Sequence, residues 1–179
     1  MIPAAEFSRP VPLDRIGADA KQQTIIADEA ERLALARRFR LRGLGRLEAD
    51  YLLVPMGEGW QATGTIRAEA VQACVATAQD VPERIDAPFT IRFVREENET
   101  DEEVELSEED CDIMTVEDGR IDMGEAVAQT LALNLDPYPR SRDADARLRE
   151  MGVKQEGEAG ALSGLKDLLS KGQAKDGRD

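Results

Sequence analysis

Hydrophobic and polar positions change their spacing several times along the chain, and each change predicts a different element. Residues 28–38 place Ala30, Leu33 and Ala34 on one helical face, with acidic residues in the first turn and arginines in the last, which predicts a helix. Residues 44–53 then alternate apolar and polar side chains at a period close to two, which predicts a long, half-buried strand.

The same alternation predicts two more strands and a short arm. A tight turn at residues 56–59 followed by an alternating segment at residues 60–75 predicts a hairpin with the first strand. Residues 89–95 alternate phenylalanine and isoleucine with polar residues and predict a third strand. The proline-marked segment at residues 7–16 is typical of an edge strand or an arm.

A helical period returns after Ile121 and ends at Pro137, which cannot continue a helix, so we expect a second helix packed on the sheet. We therefore predict an α+β fold with an antiparallel sheet of three to five strands, open or barrel-like, and two main packed helices. Residues 1–140 form the predicted domain. Residues 141–179 are expected to be a flexible tail with a short amphipathic helix near residues 161–171.

One acidic run changes this picture. Residues 96–118 contain thirteen of the 37 acidic residues and no lysine or arginine, and the rest of the chain has 24 acidic and 23 basic residues. Such a run does not bury enough apolar surface to offset its ordering entropy, so we expect an exposed, disordered insert. It is a solvated loop, a docking surface for a basic partner, or a divalent-ion site, although the regular ligand spacing of a calcium loop is missing. The docking residues would be Glu102, Glu103, Glu108, Glu109 and Asp110.

Composition narrows the classes of function. The chain has 179 residues, enough for one domain with a real core, and no histidine, so catalytic triads built on histidine are excluded. We expect no enzyme and no cofactor; a nuclease using carboxylate-bound magnesium is the remaining enzymatic hypothesis. Cys74 and Cys111 lack metal-ligand spacing, so we expect reduced thiols and no metal site.

No signal peptide and no membrane-spanning segment are recognisable in the sequence, so we expect a cytoplasmic protein without a membrane partner.

Arginines cluster where the first helix runs into the first long strand. Six occur within fifteen residues, and guanidinium groups bind phosphates well. We predict RNA-backbone contacts here, extended across the polar face of the sheet by Arg67, Arg92 and Arg95; the alternative is a helix end with salt bridges to local carboxylates. A sequence pI near 4.5 argues against general binding of nucleic acid, and we expect no DNA partner. The predicted RNA-binding residues are Arg37, Arg38, Arg40, Arg42 and Arg46.

The order of these features resembles the YceD family of large ribosomal RNA subunit accumulation proteins. The resemblance runs from about Phe7 into the tail and rests on the cysteine after the second long strand, Cys74, the helix start Ile121-Asp122-Met123-Gly124-Glu125 and its leucine-rich continuation into Pro137. Many family members have a second cysteine three positions after the first. This chain has Thr77 there, which argues against a zinc site.

The resemblance implies a bacterial, cytoplasmic, non-enzymatic factor that supports processing or accumulation of 23S rRNA during assembly of the large ribosomal subunit. Its partners would be precursor 23S rRNA or a pre-large-subunit particle, and a basic ribosomal protein held by the acidic run. The alternative function is an acidic interaction module, or a chaperone for a basic partner, that makes no RNA contact.

Overall fold

The computed structural model describes residues 6–17, 21–95, 112–116 and 118–153 of the chain. These residues form seven strands, three α-helices and one 3-10 turn at Leu13–Arg15. The strands are β1 (Pro10–Pro12), β2 (Gln23–Ile26), β3 (Gly43–Met56), β4 (Gly59–Ala73), β5 (Asp80–Arg95), β6 (Asp112–Val116) and β7 (Arg120–Asp122). The helices are α1 (Glu29–Arg38), α2 (Met123–Asn134) and α3 (Ala144–Glu150).

Five strands form one sheet in the order β2-β3-β4-β5-β6. All neighbours are antiparallel except β5 and β6, which run parallel, and β1 pairs separately with β7. The α+β class is confirmed, and the five strands lie within the predicted range of three to five; the prediction of a purely antiparallel sheet is wrong for β6, which pairs parallel to β5. The sheet is open in the part of the chain that the structure describes, with β2 and β6 at its edges, so a closed barrel is not supported.

The core lies on one face of the five-stranded sheet. Alternate residues of β3, β4 and β5 point into it, and α1 and α2 contribute their buried faces. Phe7 is also fully buried, so the N-terminal arm is part of the core. Phe89 and Phe93 are buried and Trp60 packs at the edge, as the alternating pattern predicted.

Local capping fixes where both main helices begin. The Asp28 carboxylate accepts from the backbone N–H of Glu31, whose side chain accepts from the Asp28 N–H, which completes a capping box for α1. Asp122 caps α2 by accepting from the N–H groups of Gly124 and Glu125. The helix predicted at residues 28–38 is confirmed, because these caps are encoded locally.

The third strand is much longer than predicted. Residues 80–88, which contain Pro82 and Pro88, continue β5 and pair with β4 along its whole length. β6 covers only residues 91–95 of β5, so both prolines lie where the strand has a single described neighbour. Proline is tolerated there because its missing N–H faces the open edge.

Two predicted disordered segments contain ordered residues. Asp112–Val116, inside the predicted insert at residues 96–118, is strand β6. It pairs with the most hydrophobic part of β5, which compensates for its short length. The predicted tail from residue 141 instead begins with α3, whose Ala144 is buried. The helix predicted near residues 161–171 lies outside the described residues.

None of the helices that the structure describes has the length and apolar composition needed to cross a membrane.

Candidate nucleic-acid interface

The end of α1 turns sharply into β3 and carries the predicted arginines to one end of the sheet. Arg40 adopts a left-handed conformation with φ of 56°, and the N–H of Leu41 donates to the carbonyl of Ala36. The N–H of Arg42 then donates to the carbonyl of Val71 at 2.7 Å, which joins the corner to the end of β4.

Two of the five predicted RNA-binding arginines are engaged by carboxylates. Arg38 forms a bidentate ion pair with Glu125 of α2, at 2.6 and 2.8 Å, and a second ion pair with Glu6 at 3.1 Å. The hydrogen bond from Arg38 lowers the pKa of Glu125 below its ordinary value. Arg46 is paired with Glu48 on the same strand, which raises the pKa of its guanidinium.

The other three arginines are available to a partner. Arg37 and Arg40 are exposed and have no ion pair among the described residues. Arg42 is half exposed and only loosely held: its Nη2 lies 3.4 Å from the carbonyl oxygen of Ala78 and its Nε lies 4.0 Å from Asp80. An exposed pair at this distance contributes little stability, so a phosphate can compete for Arg42.

The polar face of the sheet does not continue this group. Arg67 is bound by Glu48 and Asp50, at 3.1 and 2.8 Å, so its charge is neutralised within the sheet. Arg95 lies over the Trp60 ring at 5.4 Å, at the far end of the sheet. Arg92 makes no ion pair in the described structure, but it stands alone opposite Gln61.

Residues that sequence analysis missed meet the arginine corner. The turn between β4 and β5 and the segment around α3 lie at the same end of the sheet, and they add four arginines at positions 140, 142, 147 and 149. We call this region the arginine end and define it as residues 37–46, 71–84 and 134–153. It contains ten arginines and six carboxylates, in a chain of net charge −14. The density of arginine after residue 140 was a visible signal.

Cys74 lies in the middle of the arginine end. Cys74 is 3% exposed, which confirms the prediction of a small buried residue, and it forms no disulfide with any described residue. Hydrogen bonds from the Thr77 hydroxyl and the Ser141 N–H lower the pKa of the thiol from 9.0 to about 6. These two hydrogen bonds fix the Cys74 side chain within the arginine end.

The predicted docking surface lies outside the described residues, and no metal site is formed within them. The acidic docking residues at positions 102, 103, 108, 109 and 110 lie outside the described residues, as does Cys111. Within the described ranges, no group of three or more cysteine, aspartate or glutamate side chains is arranged to hold a metal ion.

Comparison with known proteins gives one match. The sequence model of a family described as "Large ribosomal RNA subunit accumulation protein YceD" matches residues 62–168. The match covers β4, β5, α2 and α3, but not the corner between α1 and β3 that carries Arg37 to Arg46. No curated protein and no solved structure matches the chain.

Proposed function

Because the chain belongs to the family of the large ribosomal RNA subunit accumulation protein YceD, we propose that it is a non-enzymatic assembly factor acting on precursor 23S rRNA. In this proposal it binds the RNA, or the pre-large-subunit particle that contains it, through the phosphates that meet the arginine end. It needs no cofactor for this role and works in the cytoplasm.

The proposal rests on one observation: some arginines of the α1–β3 corner are paired with carboxylates, and the others have no strong partner among the described residues. Arg38 and Arg46 are held by carboxylates of the fold, and their charge is compensated. Arg37, Arg40 and Arg42 project from the same corner without a strong internal partner among the described residues. Uncompensated guanidinium groups on residues this close in the chain suit the closely spaced phosphates of an RNA backbone.

The overall charge sets the mode of binding. A protein of net charge −14 is repelled by RNA at long range, so steering by the whole molecule is excluded. Contact instead depends on a few short-range guanidinium–phosphate bonds. We therefore expect recognition of a defined site within a particle rather than coating of any RNA.

The test is the salt dependence of binding to transcripts that cover precursor 23S rRNA. Each phosphate contact contributes about 0.7 to 0.9 to the slope of log K against log salt. The triple variant R37A/R40A/R42A is expected to lower that slope by about 2 to 3. Filter binding between about 50 and 200 mM salt measures it.

A matched triple variant controls for loss of charge alone. R15A/K21A/R120A removes three exposed basic residues that have no ion pair among the described residues and lie outside the arginine end. We expect its slope to equal that of the wild type. Identical slopes for wild type and R37A/R40A/R42A would contradict the proposed contact.

The acidic run supports a second candidate function. Thirteen acidic residues without a lysine or arginine form a surface that suits a basic protein. In that case the protein is an interaction module for a basic ribosomal protein, and RNA contact is not required. Neutralising the run separates the two functions, as argued in the Discussion.

A further inference from the structure

The segment that follows α2 is fastened to the turn between β4 and β5. The N–H of Val75 donates to the carbonyl of Pro139 at 2.9 Å, and the N–H of Ser141 donates to Cys74 Sγ at 3.3 Å. The hydroxyl groups of Thr77 and Ser141 lie 3.3 Å apart and form one hydrogen bond, in which either hydroxyl can donate. These contacts fix the start of the segment at the arginine end.

Gln79 extends the attachment to α3. Its hydrogen-bonding neighbours assign the amide so that the nitrogen donates to Asp143 Oδ1 at 3.0 Å and the oxygen accepts from Arg147 Nη2 at 2.8 Å. Asp143 and Arg147 also pair with each other at 2.7 Å, one helical turn apart. One side chain of the β4–β5 turn therefore holds both ends of the first turn of α3.

Arg42 reaches the same turn. Its guanidinium lies 3.4 Å from the carbonyl oxygen of Ala78, the neighbour of Thr77, which contacts Ser141. Because consecutive Cα atoms are about 3.8 Å apart, the α1–β3 corner and the α3 segment both contact this turn within a few ångströms of chain. Two arginine-containing segments that are about a hundred positions apart in sequence are thus brought to the same turn.

The arginines of the α3 segment, like those of the α1–β3 corner, form two groups: some are paired with carboxylates, and the others are unpaired among the described residues. Arg140 is paired with Asp145 at 2.6 Å, and Arg147 with Asp143. Arg142 and Arg149 are exposed and have no ion pair or side-chain hydrogen bond among the described residues. The segment therefore presents two uncompensated charges at the arginine end.

We propose that Arg142 and Arg149 bind phosphates of the same RNA as Arg37, Arg40 and Arg42, so that the α3 segment is the second half of the interface. This inference rests on the proposed function. The match to the YceD family includes residues 139–150, whereas it does not include the α1–β3 corner. The α3 segment is thus the half of the interface that lies within the family match.

An acidic protein segment is the other occupant that such a surface could take. RNA is favoured because the free guanidinium groups are spread over two chain segments that are far apart in sequence, which suits a continuous backbone of regularly spaced charges. A protein partner would instead give binding that does not depend on RNA.

The experiment compares the salt slope of R142A/R149A with that of the wild type on the same precursor 23S rRNA transcripts. Loss of two phosphate contacts is expected to lower the slope by about 1.4 to 1.8. R142K/R149K keeps both charges and is expected to retain the wild-type slope. The control R15A/R120A removes two exposed arginines that are outside the arginine end and unpaired among the described residues, and it is also expected to retain that slope.

The outcomes separate the two proposals. If R37A/R40A/R42A lowers the slope and R142A/R149A does not, the inference about the α3 segment is overturned and the proposed function stands. If the wild type shows no salt-dependent RNA binding, both are overturned, and capture of a basic or acidic protein becomes the explanation to pursue. Both substituted side chains are exposed, so thermal unfolding is expected to match the wild type and exclude a folding defect.

Discussion

Two segments that flank β5 in sequence carry opposite charge. Before it, β4 and β5 are joined by the turn within the arginine end. After it, residues 96–111, with ten carboxylates and no basic residue, connect Arg95 to Asp112 in sequence; we call this segment the acid end. From Arg84, the last residue of the arginine end on β5, to Arg95 the strand spans about 36 Å at 3.3 Å per residue.

This separation explains how an acidic protein can offer a surface for RNA. Electrostatic interactions in water are screened over about 8 Å at physiological salt. Asp112 pairs with Ile91, so β6 begins about 13 Å back along β5 from Arg95, and its start lies level with a residue about 23 Å along the strand from Arg84. The two residues to which the acidic run is attached, Arg95 and Asp112, therefore lie more than two screening lengths from Arg84, the arginine of the arginine end on β5, so net charge is a poor guide to the binding surface.

The largest expected effect comes from breaking the sheet that holds the ends apart. A Cβ on Gly64, in the middle of β4, would collide with the Asp50 carbonyl oxygen and lie 2.9 Å from the Cα of Tyr51. Since both atoms belong to the backbone of β3, G64V is expected to destabilise the fold by about 3 kcal/mol or more. Urea unfolding measures this loss.

Gly43 offers the matched control, because a Cβ there meets no atom within 4 Å. G43A is expected to stay within about 0.5 kcal/mol of the wild type. A G64V protein as stable as G43A would mean that β3 and β4 are not packed as described.

The second-largest expected effect comes from the ion pair of Arg38 with Glu125, which its neighbour Arg37 lacks in the described structure. E125Q removes the carboxylate that holds Arg38 and is expected to cost about 1 kcal/mol at pH 7. The pKa of Glu125 is lowered in the folded state, so the ion pair stabilises the protein above the unfolded value near 4.3 and this stabilisation is lost as pH falls through the folded pKa. The difference between wild type and E125Q should therefore shrink below about pH 4.

R37A is the control for this comparison, since Arg37 lies beside Arg38 but is exposed and unpaired among the described residues. The free energy of unfolding of R37A is expected to equal that of the wild type both at pH 7 and below about pH 4. A pH-independent cost of E125Q, measured by urea unfolding, would show that packing rather than charge joins α1 to α2.

A smaller and local effect is expected where the α3 segment is attached. Q79A removes the amide that bridges Asp143 and Arg147. We expect amide hydrogen exchange of Val75 and Ser141 to rise about tenfold, because their acceptors lie in this attachment, while the sheet core keeps its protection. Q61A, at the opposite end of β4, is expected to change neither. Uniform faster exchange in Q79A would instead indicate global destabilisation.

Sequence patterns predicted the elements whose signals are local. The start of α1 follows from Asp28 and Glu31, three positions apart, and the end of α2 from Pro137. β3 and β4 follow from alternation on either side of a glycine-containing turn. The first half of β5 was missed because Pro82 and Pro88 are strand breakers except at an edge, and which part of a strand lies at an edge is decided by the whole sheet.

The candidate site was predictable only in part for the same reason. Sequence analysis located the arginine cluster, but Arg38 is neutralised by a residue 87 positions away, whereas its neighbour Arg37 is not. The α3 segment is held by hydrogen bonds of Cys74, Thr77 and Gln79 rather than by an apolar stripe. Hydrophobic periodicity does not reveal attachment through side-chain hydrogen bonds, so the sequence pattern of this polar segment predicts a flexible tail.

The smallest expected effect on RNA binding comes from neutralising the acid end. Replacing the ten carboxylates of residues 96–111 by their amides leaves β6 intact and changes the net charge from −14 to −4. At 150 mM salt we expect RNA affinity to rise less than about threefold, since Arg95 and Asp112, to which the run is attached, lie more than two screening lengths from Arg84 of the arginine end. At 10 mM salt, where screening extends over about 30 Å, the rise should be larger.

The same variant decides the role of Glu102, Glu103, Glu108, Glu109 and Asp110 as a docking surface. Loss of a basic ribosomal protein from pull-downs, with RNA affinity kept, assigns the two ends to two different partners. A tenfold change in RNA affinity at 150 mM would instead mean that the run reaches the bound RNA, because direct charge contact is the only interaction that survives such screening. The acid end and the arginine end would then contact the same RNA, and the length of β5 would not make them electrostatically independent.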